Sequence, residues 1–173
     1  GGNPFFAEEL ACALRDTGAL QVAGGRAALR ADLAALAASL PATIEGAVLA
    51  RIDRLALEQQ LTLKVAAVIG RSFLFRTLCD IHPQHVLSDL LNEHLDDFAR
   101  RDLASLDALE PELTYIFKHI ITQQVAYETL LFAQRRELHR AVASWFERAW
   151  AGNLAPYYPL LAYHYGQADD PDR

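Results

Sequence analysis

Methionine is absent from this 173-residue chain, and cysteine occurs only as Cys12 and Cys79. The chain opens Gly1-Gly2-Asn3-Pro4, with neither an initiator Met nor a basic leader segment, and reads as an excised piece of a longer protein. Two isolated thiols without CxxC spacing exclude a disulfide framework and a cysteine-ligated metal site. They fit a reducing, cytoplasmic compartment. No apolar run approaches the roughly 18 residues of a membrane span. Basic charge is short as well: 16 Lys and Arg against 22 Asp and Glu give a net charge of -6, which disfavours a nucleic-acid surface. The chain also lacks a GxxxxGK[ST] phosphate loop and an acidic strand to hold Mg²⁺, so it has no phosphoryl-transfer machinery of its own.

What is present is helical. The chain is 52% hydrophobic, rich in Ala and Leu, and 22% charged, the composition of a globular protein. Asn3 as cap and Pro4 at the first helical position open a helix in which Phe5, Phe6, Leu10, Ala13 and Leu14 share a face. Gly24-Gly25 between short apolar pieces predicts a small hairpin, and Asp32–Ser39 one or two helical turns. Thr43–Leu55 predicts a helix with Ile44, Val48, Ile52 and Leu55 inward and Arg51 and Arg54 toward solvent. Further helices are expected at Glu58–Ile69 (Leu61, Val65 and Val68 inward), Phe75–Ile81 and His85–Arg100 (through Leu87, Leu90, Leu91, Leu95 and Phe98), with Arg71–Phe73 as a connector. The period then changes. Leu103–Leu106 and Leu113–Phe117 read as two strands around a Pro-containing turn, a β-wing. Helices follow at His119–Leu131, Gln134–Trp150 and Tyr158–Ala168.

Tyr115–Leu131 carries the most chemistry: a short strand runs through Lys118-His119 into an amphipathic helix. Helix N-termini offer unpaired N–H groups and partial positive charge, so phosphate is a natural guest there. The plain alternative is a hydrogen-bonded histidine at a strand–helix corner. Phe117-Lys-His119, Gln123, Val125-Ala-Tyr127 and Arg136-Glu-Leu-His139 stand in order. Gly2-Asn-Pro4, Leu40–Gly46, Ala50–Leu55, Val65–Phe73 and Leu161-Ala-Tyr-His-Tyr165 accompany them. Together they resemble the regulatory region of STAND-class P-loop ATPases, most of all that found downstream of bacterial class III adenylate cyclase domains. The resemblance covers residues 1–168. It implies a mainly α fold in three parts: the end of a helical lid with a small hairpin at 1–40, a winged-helix-like domain at 41–151, and the start of a TPR-like helical repeat at 152–173. It also implies that Gly2, Asn3, Pro4 and His119 contact ATP or ADP, shared with a P-loop core upstream, and that Mg²⁺ enters only through that core. The partners implied are that core and downstream repeats, with nucleotide-driven self-assembly.

No catalytic residue and no metal site are expected. Glu8-Glu9 and Asp96-Asp97 are adjacent on helices, about 100° apart, and cannot converge on one atom. His82, His85, His94, His139 and His164 lack compact ligand spacing. Lys118, Arg135, Arg136 and Arg140 form a possible anion patch or interface, against the plain reading of a solvated face. The functional expectation is a non-catalytic segment coupling ADP/ATP state to an effector by arm movement. The alternatives are a winged-helix DNA-binding module and a nucleotide-insensitive spacer.

Overall fold

The computed structural model describes residues 4–16, 18–23, 26–29 and 43–169. Gly2, Asn3, Gly24-Gly25 and the turns expected at Asp32–Ser39 lie outside them, as do the side chains of Phe5, Phe6, Leu10 and Ala13. The chain divides into two compact units, Gly1–Ala56 and Leu57–Arg173.

In the first unit, helix α1 (Pro4–Asp16) leads through Gly18, at φ +71, to β1 (Leu20–Ala23). That strand pairs antiparallel with β2 (Arg26–Leu29), Leu20 opposite Leu29, as the Gly-Gly spacing predicts. Helix α2 (Ile44–Ile52) starts at Thr43, whose extended backbone lets Oγ1 accept from the Gly46 N–H at 3.0 Å. Val48 and Ile52 are buried as expected, but so is Arg51. Its position three residues after Val48 and next to Ile52 rotates it to the edge of the apolar stripe rather than to solvent, where Arg54 does lie.

The second unit runs α3 (Leu57–Ile69), β3 (Ser72–Leu74), α4 (Phe75–Ile81), α5 (Ser88–Arg100), β4 (Ala104–Ala108) and β5 (Thr114–Phe117). Then come α6 (Ile120–Glu128), α7 (Phe132–Ala149), a 3₁₀ turn (Ala155–Tyr157) and α8 (Tyr158–Gln167). Helix α3 ends at Gly70, whose φ of +148 is a conformation L side chains avoid. The chain emerges directly into β3, so Arg71–Phe73 is not a mere connector: Ser72 pairs with Ile116 and Leu74 with Thr114. Three residues are too few to show a period, and the strand exists because β5 offers partners. The sheet is antiparallel, ordered β3-β5-β4, with a bulge between Leu106 and Ala108. Helix–strand–helix–helix–strand–strand with this sheet order is a winged-helix-like arrangement.

On the inner face of the sheet the Phe73 ring stacks on Tyr115 at 6.0 Å and meets Phe117 at a tilt at 5.6 Å. Leu63, Leu78, Leu91, Leu95, Phe98 and Leu103 complete the core beneath them. Each such side chain contributes about 1.5–3 kcal/mol on leaving water. The apolar face of α5 differs from the expected one. Leu91, His94, Leu95 and Phe98 are buried, whereas Leu87 is 78% exposed and Leu90 36%. Helix α5 begins only at Ser88, so Leu87 is out of helical phase. Leu90 sits about 100° from Leu91. Leu61 is half-buried, while α3 buries Thr62, Leu63 and every residue from Val65 to Ile69. The stripe of α7 is as expected: Leu138, Val142, Trp145 and Phe146 are all buried, with His139 among them.

Candidate functional site

The β5–α6 junction is assembled by backbone bonds from three directions. Phe117 N–H donates to the Arg71 carbonyl (2.9 Å) and Lys118 N–H to that of Leu103 (3.2 Å), so the strand end is clamped on both edges. His119 follows in extended conformation, φ -128 and ψ 139, as the residue that starts α6. Its carbonyl accepts from Thr122 N–H at 3.1 Å, and its half-buried side chain makes no cap bond to the helix. No acidic residue lies in the first turn of α6, so its N-terminal field is not internally neutralised. Lys118 is paired with Asp102 at 2.8 Å. Gln123 anchors the helix by donating from Nε2 to the Ala67 carbonyl at 2.7 Å.

The other expected nucleotide contacts belong to the first unit. Pro4 opens α1 and is exposed; Gly2 and Asn3 lie outside the described residues. The four basic residues of the expected anion patch do not share a partner. Lys118 faces Asp102 by the wing. Arg135 donates to the carbonyls of Leu130 (3.1 Å) and Glu128 (2.8 Å), with its guanidinium 4.7 Å from the Tyr127 ring centre. Arg136 pairs with Asp169 at 3.1 Å, and Arg140 donates to the Ala168 carbonyl at 3.3 Å. Arg135 therefore closes the turn between α6 and α7, and the last two brace the C-terminal end of α8.

Two buried histidine networks were not legible as sites from ligand spacing. In the first, Thr62 Oγ1 donates to the Glu58 carbonyl (3.0 Å) and lies 2.9 Å from His94 Nδ1 and 3.3 Å from His82 Nε2. One hydroxyl has one proton, so with it given to Glu58 both imidazoles must donate. His82 then carries its proton on Nε2, and its Nδ1 accepts from Gln84 N–H at 3.4 Å. Burial holds both rings below the usual histidine range. In the second, His139 Nε2 is 3.0 Å from the Tyr127 hydroxyl and His139 Nδ1 is 2.8 Å from His164 Nδ1. Burial pushes His139 down to about 4, with Arg135 adding to it, and His164 to about 3, with His139 adding. The signal available in sequence was position: His94, His139 and His164 each fall on a buried helical face. No group of three or more metal-ligating side chains occurs among the described residues.

Clefts open on the second unit. An apolar one of about 250 Å³ lies between Leu61, Ile81, Pro83, Leu130, Leu138 and Ala141. A polar one of about 350 Å³ has Trp145 with Arg76, Asp80 and Arg148 around it. Asp80 is engaged by the Trp145 indole N–H at 2.7 Å, and Arg76 lies over the same ring. Neither cleft brings together a nucleophile and a base. No described helix is long and apolar enough to cross a membrane. Comparison with known proteins gives no match, whether to family models, curated sequences or solved structures.

Proposed function

We propose that this chain is a non-catalytic regulatory segment of a STAND-type ATPase, in which His119 reads the nucleotide state of a P-loop core preceding Gly1. The observation that carries the reading is the β5–α6 junction. A histidine clamped by a three-stranded sheet stands at the start of a helix with no acid in its first turn. Such a position suits a terminal phosphate. With ADP held by core, lid and His119, the winged-helix-like arm stays closed; with ATP that restraint is lost and the arm moves. Cyclic-nucleotide signalling is the proposed output, and a cytoplasmic location follows from it. A switch of this kind requires different contacts in two states.

The helix that would enter a DNA groove speaks against the DNA-binding alternative. In this arrangement that helix is α5, whose exposed surface carries Asp89, Glu93 and Asp96. Acidic side chains there would repel the phosphate backbone.

The test is ADP and ATP affinity of the full-length protein, wild type against His119→Ala, at fixed Mg²⁺. Loss of ADP affinity by about 1.5–3 kcal/mol, as for a hydrogen bond to a charged group, with ATP affinity retained, is the expected outcome. Equal affinities for both proteins and both nucleotides would leave His119 as a structural corner and the chain as a spacer.

A further inference from the structure

We propose that His139 and His164 form a proton latch: a single N–H between their two Nδ1 atoms holds α8 on α7, the neutral pair can hold one added proton, and a second added proton releases α8. The geometry leads there directly. The two Nδ1 atoms face each other at 2.8 Å, and the rings are 0% and 1% exposed. A contact of that length needs one donor and one acceptor. Two neutral arrangements satisfy it. Either His139 donates to His164 while accepting from Tyr127, or His164 donates to His139, whose Nε2–H then points at the Tyr127 oxygen. One added proton can still be held, because His139 can donate to both neighbours. Two added protons place N–H against N–H and two charges within one buried contact, and both are relieved when α8 leaves α7.

The surroundings do not neutralise such charge. Around the pair stand Tyr127 from α6, Arg135 from α7, and Tyr163 from α8, whose ring meets His139 edge-on at 5.7 Å. The carboxylates that bond at α8 are committed to its other joints: Glu147 accepts from the Tyr165 hydroxyl (2.6 Å), and Asp169 pairs with Arg136. From α4, Arg76 and Asp80 face Trp145; from α3, Glu58 acts on His94. Burial accordingly keeps both rings neutral well below the ordinary histidine range. Because the docked pair binds protons less readily than the released one, docking is at full strength above pH ~6.5. It weakens by about tenfold per pH unit for each proton taken up as pH falls toward 4.

The test is amide hydrogen exchange on the full-length protein from pH 7 to pH 4, corrected for intrinsic rates, alongside the double variant His139→Leu, His164→Leu. Leucine at both positions removes the titration and leaves Glu147 and Asp169 in place. The expected result is that α8 amides lose protection below pH 6 before those of α3 and α5, and that the double variant abolishes this lead. Simultaneous loss across α3, α5 and α8 at every pH, or an unchanged lead in the variant, would overturn the latch. Should the double variant fail to fold, ¹⁵N-histidine NMR on the wild type decides. A two-bond N–N coupling between His139 and His164 that disappears as α8 opens supports the latch. Its absence at pH 7, or its survival through opening, refutes it.

Discussion

Thr62 serves three partners with one hydroxyl, giving its proton to Glu58 and taking one each from His82 and His94. All three side chains are buried. Thr62→Val keeps the shape and removes the oxygen, stranding two imidazole N–H groups away from water. Each stranded group costs about 1–3 kcal/mol, so the variant should lose roughly 2–6 kcal/mol, read as a lower urea midpoint at unchanged m-value. Thr62→Ser restores the oxygen and should recover most of that loss; a Val variant as stable as wild type would show that the histidines have other partners. Gln123 makes a simpler case. Its amide spans from α6 to the Ala67 carbonyl at 2.7 Å. Gln123→Ala should cost about 1 kcal/mol in the same measurement, while His119→Ala, at a half-buried position, should cost less. That contrast distinguishes a residue that holds the junction from one proposed to read a ligand.

At the level of elements, the turn between α6 and α7 is held by a fork. Arg135 bridges the carbonyls of Glu128 and Leu130 while lying over Tyr127, and Gln134 accepts from the Leu131 N–H at 3.0 Å. Charge-assisted bonds of this kind contribute about 1.5–3 kcal/mol. Arg135→Ala should lose about 2 kcal/mol, and Lys should not restore it, since an ammonium lacks the planar fork. The same substitution should raise the pKa of His139, because Arg135 adds to the lowering that burial begins; a histidine NMR titration checks that sign. Elements of this length were readable beforehand because long periodic runs set their own faces. Helix α4 begins and ends where the apolar spacing and Pro83 put it, and the α7 stripe is the expected one. Strand β3 was not readable, since its pairing is decided by residues forty or more positions away. Nor was the buried Arg51, because a one-residue rotation at a stripe edge is below what periodicity resolves. The site divides the same way. The strand–helix corner at His119 was visible as a change of period, whereas the His139–His164 contact depends on how α8 docks, which no spacing within one helix encodes.

Across the second unit as a whole, four histidines are buried and neutral: His82, His94, His139 and His164. Each is lowered by burial, so the unfolded chain binds protons that the folded one refuses. Their contribution to stability is complete above the ordinary histidine value of 6.5 and is lost as pH falls below it. Each refused proton tilts stability by about 1.4 kcal/mol per pH unit. Asp97 adds a later step: burial raises its pKa, but Arg101 and Arg100 outweigh that and hold it below the carboxylate range, so its share disappears only further down. His139 and His164, lowered to about 4 and about 3, together offset about 5 kcal/mol over the two pH units below 6.5, and His82 and His94 act in the same direction. Urea midpoints should therefore be flat from pH 8 to 7 and fall steadily from 6.5 toward pH 4. Replacing Thr62 should alter the part of that slope due to His82 and His94. The double Leu substitution at 139 and 164 should flatten the remainder. A midpoint constant from pH 7 to pH 4 would mean that the buried rings take up protons in place, and the neutral networks of this fold would have to be redrawn.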